Sequence, residues 1–149
     1  MNLPKNFEEY LKEGIIKKAS INKPRAEFLI KEAENSLEGL KERIDKIGIN
    51  DKNANSIVKD CYDIVMELIR ANLLLRGYNS SGSYSHEAEV SFLKLLDFPE
   101  KEIAFLNELR YFRNSVTYYG KILDSQYATK VYGFLKIIYP ELRKRIPDF

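Results

Sequence analysis

Apolar residues recur along this chain at steps of three and four, the spacing that lines side chains up on one face of an α-helix. The clearest run is Ala26, Leu29, Ile30, Ala33, Leu37, Leu40, Ile44 and Ile47. It predicts a helix over 24–47, with Pro24 in the first turn and Gly48 as the stop. The other face, including Lys31, Glu32, Glu34, Glu38 and Lys41, carries both signs of charge and reads as solvated. A second run over 54–76 holds two adjacent stripes: Ile57, Cys61, Ile64, Val65 and Leu68, then Val58, Tyr62, Met66, Ile69 and Leu73. A helix apolar around so much of its circumference is either central in a bundle or shared with a second subunit.

Pro99 and Glu100 open the next long helix, which carries Ile103, Leu106 and Leu109 inward and ends at Gly120. The last begins at Asp124 or Ser125 and keeps its spacing through Ala128, Val131, Leu135, Ile138 and Leu142. Pro140 is expected to kink or divide it, because proline removes an N–H and crowds the preceding turn. Two short helices complete the set. Asn6 and Glu9 have capping-box spacing ahead of Tyr10 and Leu11, with Gly14 as the end, and Ser85 is placed to cap a helix containing His86, Glu87 and Glu89. Segment 15–22 reads as a basic, extended connector, and 77–84 as a polar, glycine-bearing loop without phosphate-loop spacing. The expected fold is all-α: an up-and-down antiparallel bundle of four to five main helices plus a short N-terminal one. A single domain is expected over 1–149, since no repeat or linker divides the chain.

Composition narrows the function classes. At 149 residues, 44% hydrophobic and 31% charged, one core is expected, with roughly 70% of the unfolded surface buried. The net charge of +2, from 24 basic and 22 acidic side chains, advertises no global polycation, so any anion site must come from local segregation of charge. Cys61 and His86 are single occurrences, which leaves no intramolecular disulfide and no Cys/His zinc set. Neither a metal nor a cofactor is expected. No run approaches the ~18 apolar residues of a membrane span, and the expected setting is cytoplasmic. Abundant Lys, Glu, Ile and Tyr beside the single Gln126 give a thermophile-like composition. Cys61 lies within an apolar stripe and reads as core, while the acidic start at Glu87 and Glu89 and the basic end at Arg143, Lys144 and Arg145 suit the dipoles of their helices.

One position breaks the pattern. Leu106, Leu109, Arg113 and Val116 share a helical face, so a guanidinium stands on or beside a stripe that should pack. A charge there needs a partner or a ligand. Asn114 follows it directly, and Arg110 lies nearby on the same helix.

The order of these features resembles the HEPN domains, the higher eukaryote and prokaryote nucleotide-binding helical bundles. It consists of Tyr10-Leu11-Lys12-Glu13-Gly14, a basic connector, two long helices with the second ending in Gly77-Tyr78, Ser85-His86-Glu87-Ala88, and then Leu109-Arg110-Tyr111-Phe112-Arg113-Asn114. The resemblance implies metal-independent RNA cleavage in a homodimer whose two motifs line a shared cleft. The motif is an arginine, a polar neighbour and a histidine four to six residues further on. Arg113 and Asn114 match its first two members, but the window beyond holds Thr117, Tyr118, Tyr119 and Gly120 and no histidine. A phenol of pKa about 10 is a poor base at neutral pH. Family members also accompany minimal nucleotidyltransferases in toxin–antitoxin-like pairs, where a tyrosine beyond the histidine can be modified. Gly120 holds that place, with Tyr119 one residue off.

The preferred expectation is a catalytically degenerate, homodimeric HEPN-like protein. It binds an RNA or nucleotide phosphate, or a minimal nucleotidyltransferase, through Arg113, Asn114 and Arg110. The alternative is a weak RNase whose candidate catalytic residues are Arg113, Asn114 and either Tyr118 or His86. A third reading is purely structural, with Arg113 paired to Glu67 or Glu108 at a subunit interface. His86 is expected to hold a local structural place, since reaching Arg113 requires its loop to fold across the helix ends.

Overall fold

The computed structural model describes residues 2–120 and 122–149, with side chains for all of these except 116–119. Along the chain run α1 (Phe7–Lys12), β1 (Ile16–Lys18), α2 (Lys23–Ile47), α3 (Ala54–Leu75), β2 (Tyr78–Ser80), α4 (Ser85–Ser91), a 3₁₀ turn (Phe92–Lys94), α5 (Glu100–Tyr119) and α6 (Ser125–Lys144). The result is a mainly α bundle, with one two-stranded sheet among the described residues.

Local chemistry sets the helix ends. The Asn6 backbone N–H donates to the Glu9 carboxylate at 3.0 Å, one half of the expected capping box. At α2 the Asn22 side chain accepts from the Arg25 N–H, and at α6 Asp124 accepts from the Tyr127 N–H. Gly48 and Gly120 follow α2 and α5 with positive φ. The N-cap of α4 is Tyr84, one residue before the expected Ser85, and it makes no side-chain cap bond. Helix α6 runs undivided through Pro140. Lys136 and Pro140 both lie on its exposed side, so the carbonyl that proline leaves unpaired can be hydrated.

Helix α3 is the centre of the bundle. It packs against α2, α4, α5 and α6, and Val58, Tyr62, Leu68, Ile69 and Leu73 are among its fully buried side chains. Both apolar stripes are thereby covered within one chain. The breadth of α3 reflects its central position and gives no separate argument for a second subunit.

The connector and the polar loop pair with each other. Ile16 opposes Ser80, Lys17 opposes Asn79, and Lys18 opposes Tyr78 in an antiparallel register. The Ala19 N–H extends the ladder by donating to the Gly77 carbonyl at 2.8 Å, and the Ser81 N–H donates to Ile15 at 3.1 Å. Gly77 has φ +81°, and a Cβ there would sit 3.1 Å from the Ala19 carbonyl oxygen, so glycine is needed on both counts. The sheet anchors the segment that leads into α4 and fixes where His86 and Glu89 enter the bundle.

Candidate functional site

Asp63, Glu67 and Arg70 step by four and three along one side of α3. With Tyr62, and His86 from α4, they form the polar wall of an open pocket of about 360 Å³, which Leu29 and Met66 complete on the apolar side. Arg113 meets this wall from α5. Its terminal nitrogen stands 3.6 Å from the Asp63 carboxylate, and its Nε is buried with no hydrogen-bond partner among the described residues. The carboxylate that faces Arg113 is therefore Asp63, not Glu67 or Glu108. Glu108 instead accepts from the Tyr127 hydroxyl at 3.1 Å, and Glu67 lies one turn beyond Asp63.

His86 comes closer to Arg113 than the sequence order suggests. Its Nδ1 is 3.4 Å from the Tyr62 hydroxyl, and it shares the pocket with Asp63. Burial lowers its pKa, with the Arg70 and Arg113 guanidiniums acting in the same direction against Glu89 and Asp63. The ring is consequently neutral near pH 7. Burial pushes the Tyr62 phenol far up, so Tyr62 keeps its proton and can donate it to His86. The loop does not cross the helix ends to achieve this; the β1–β2 pairing sets α4 down beside α3.

Arg110 is turned along its own helix, where its Nε donates to Asn107 at 3.0 Å. Its charge still reaches the Tyr62 hydroxyl. Asn114 is half-buried, and its side chain makes no hydrogen bond among the described residues. The side chain of Tyr118 lies outside the described residues.

A second arginine escaped the sequence reading. Arg70 grips Glu89 with two parallel hydrogen bonds of 2.8 and 3.1 Å, and the Ser80 hydroxyl donates to the same carboxylate at 3.0 Å. Glu89 is 1% exposed, so it serves as a buried anchor between α3, α4 and β2, beyond the dipole role its position suggested. The available signal was the run Asp63, Glu67, Arg70 on one side of a helix that is apolar around most of its circumference.

Glu67 has the opposite situation. It has no ion pair or hydrogen bond among the described residues, and burial, reinforced by Glu32 and Asp63, pushes its carboxyl up to about 7. Cys61 is buried and its thiol is pushed up to about 12, which makes it an inert core side chain. Among the described residues no group of His, Cys, Asp and Glu is arranged to hold a metal ion, and no helix is long and apolar enough to cross a membrane.

The chemistry open to this site follows from the two ends of its wall. A guanidinium with a free donor and a long ion pair can exchange its carboxylate for a phosphate oxygen. A neutral imidazole beside it can accept a proton. The chain matches no protein-family model, no curated protein and no solved structure.

Proposed function

We propose that this chain is a HEPN-like helical protein that binds the phosphate of an RNA or nucleotide in the cleft around Arg113 and Asn114. Catalysis is degenerate in this reading, because Tyr118 stands where the family motif has its histidine. The observation that carries it is the Arg113 side chain, with a buried, unpartnered Nε and a 3.6 Å pair to Asp63. Leaving such a donor unpaired costs on the order of 1–3 kcal/mol, and the terminal nitrogen that faces Asp63 is the one an oxyanion would take over. The charges of Arg110 and Arg113 both act on the Tyr62 hydroxyl. A homodimer and a minimal nucleotidyltransferase partner belong to the same reading and rest on the resemblance alone.

Metal-free RNA binding and cleavage, compared between wild type and Arg113→Ala, tests it. The expected result is salt-dependent binding that weakens at least about tenfold in the variant, with no cleavage by either. Binding that ignores the substitution would remove the site and leave Arg113 a structural group.

The position of His86 favours a second reading, a weak metal-independent RNase. A neutral imidazole that shares Tyr62 and Asp63 with Arg113 supports proton transfer by His86 in place of Tyr118. Loss of an acid–base group typically costs about 10²–10⁴ in rate. Cleavage lost in both His86→Ala and Arg113→Ala would make this the correct reading.

A further inference from the structure

Glu67 is the group in the pocket that the phosphate reading leaves unused. It is half-buried, its charged neighbours include Asp63 and Glu32 of the same sign, and it makes no ion pair among the described residues. Arg70 lies three residues along α3, a spacing that normally allows a pair. That arginine is already committed, since its Nε and a terminal nitrogen both bond Glu89. Arg70 therefore acts on Glu67 only through its charge and makes no pair with it, and burial together with Glu32 and Asp63 outweighs that attraction.

Its place relative to Arg113 gives the pocket two ends. Asp63 pairs with Arg113, and Glu67 lies one helical turn further along the same wall. Arg113 stands behind Asp63, outside the residues that line the pocket, so an anion reaches it once Asp63 swings away, while the Glu67 end favours N–H donors. Leu29 and Met66 add an apolar surface, and a volume of about 360 Å³ falls in the range of roughly 300–1,000 Å³ that holds small organic ligands. A metal ion is a poor answer to Glu67, because no metal-holding group of ligands assembles among the described residues. A nucleotide supplies both features in one molecule.

We propose that Glu67 selects the base of the bound nucleotide: the phosphate replaces Asp63 on Arg113, the ring lies against Leu29 and Met66, and Glu67 accepts two adjacent N–H groups. Guanine presents such a pair, N1–H and the 2-amino group, on one edge. Uracil has a single N–H flanked by carbonyls, which a carboxylate repels. This inference rests on the reading of Arg113 as the phosphate site.

Calorimetric titration of the full chain at pH 8, where Glu67 is ionised, with GMP, UMP and inorganic phosphate tests both levels separately. Wild type is expected to bind GMP about tenfold more tightly than UMP, the discrimination a bidentate pair provides. Glu67→Gln, which keeps the shape of the side chain, should bring the two nucleotides to equal affinity, whereas Arg113→Ala should weaken both nucleotides and phosphate together. Equal binding of GMP and UMP to wild type, or a guanine preference that survives in Glu67→Gln, overturns the role of Glu67. Loss on Arg113→Ala would meanwhile keep the phosphate site. Absence of any binding, or binding indifferent to Arg113, overturns both. Should the glutamine variant fail to fold, the comparison of GMP with UMP on wild type still decides.

Discussion

Arg113 and Asp63 stand 3.6 Å apart between α5 and α3, beyond hydrogen-bond length, and the Nε of the same arginine is buried without a partner among the described residues. The pair therefore neutralises charge without satisfying the donors. Half of the Asp63 side chain remains exposed, so water can take over the carboxylate at little cost when it swings away. An internal carboxylate in this position competes with any incoming oxyanion.

Asp63→Asn should consequently tighten binding of a phosphate-bearing ligand. Removing a competing ion pair of about 1 kcal/mol corresponds to roughly fivefold in affinity. Fluorescence anisotropy with a labelled RNA oligonucleotide measures it directly. Weaker binding in Asp63→Asn would mean that the carboxylate orients Arg113 instead of blocking it.

Glu89→Ala should destabilise the fold behind the pocket wall. It strips a 1%-exposed carboxylate from Arg70 and from the Ser80 hydroxyl, leaving a guanidinium that is only 28% exposed without its bidentate partner. Because Arg70 keeps some access to water, the loss should be about 2–3 kcal/mol, below that of a fully buried pair. Thermal unfolding should show a fall of several degrees.

These groups show what was legible in the sequence. The long helices could be read because they repeat their apolar spacing over many turns, as Ala26 to Leu40 and Ala128 to Leu142 do. The anomaly at Arg113 was legible for the same reason, as an exception to a strong pattern. The strands were not, since three residues carry no period, and Ile16 is a strand residue only through its pairing with Ser80 while its side chain joins the main core. That pairing then decides the rest of the site. It sets α4 beside α3 and brings His86 to Tyr62, a contact between residues 24 positions apart that no local pattern encodes. Glu89 misled for a related reason: a glutamate in the first turns of a helix satisfies the dipole equally well whether solvated or buried.

Pro140→Ala should stabilise the protein. Helix α6 continues through Pro140 with one backbone hydrogen bond missing, and alanine restores the N–H on an exposed side where it creates no clash. The intrinsic gain approaches ~3 kcal/mol in a helix interior, but proline also restricts the unfolded chain, which returns part of it. A net increase of about 1–2 kcal/mol is expected in a urea titration, with the slope unchanged. No increase would show that α6 already relieves the proline within its own turn.

Glu67→Gln gives a pH-dependent test of the site that needs no ligand. In the folded protein the Glu67 carboxyl is raised from 4.5 to about 7. Between those values the folded state holds a proton that the unfolded state has released, so stability falls as pH rises through this window and the loss is complete above about 7. His86 has the opposite sign. Its folded pKa is lowered, so its contribution is complete above its unfolded value of about 6.5 and is lost at lower pH. The two trends partly cancel in wild type. They separate in the difference between wild type and Glu67→Gln, where the histidine contribution drops out and only the carboxylate remains. The glutamine variant should gain little advantage near pH 4.5 and a rising one towards pH 7, reaching roughly 1 kcal/mol once solvent screening of this half-exposed group is allowed for. A stability difference that stays flat from pH 4.5 to 8, measured by urea unfolding, would mean that Glu67 titrates as an ordinary surface carboxylate and that the pocket wall holds no unanswered charge.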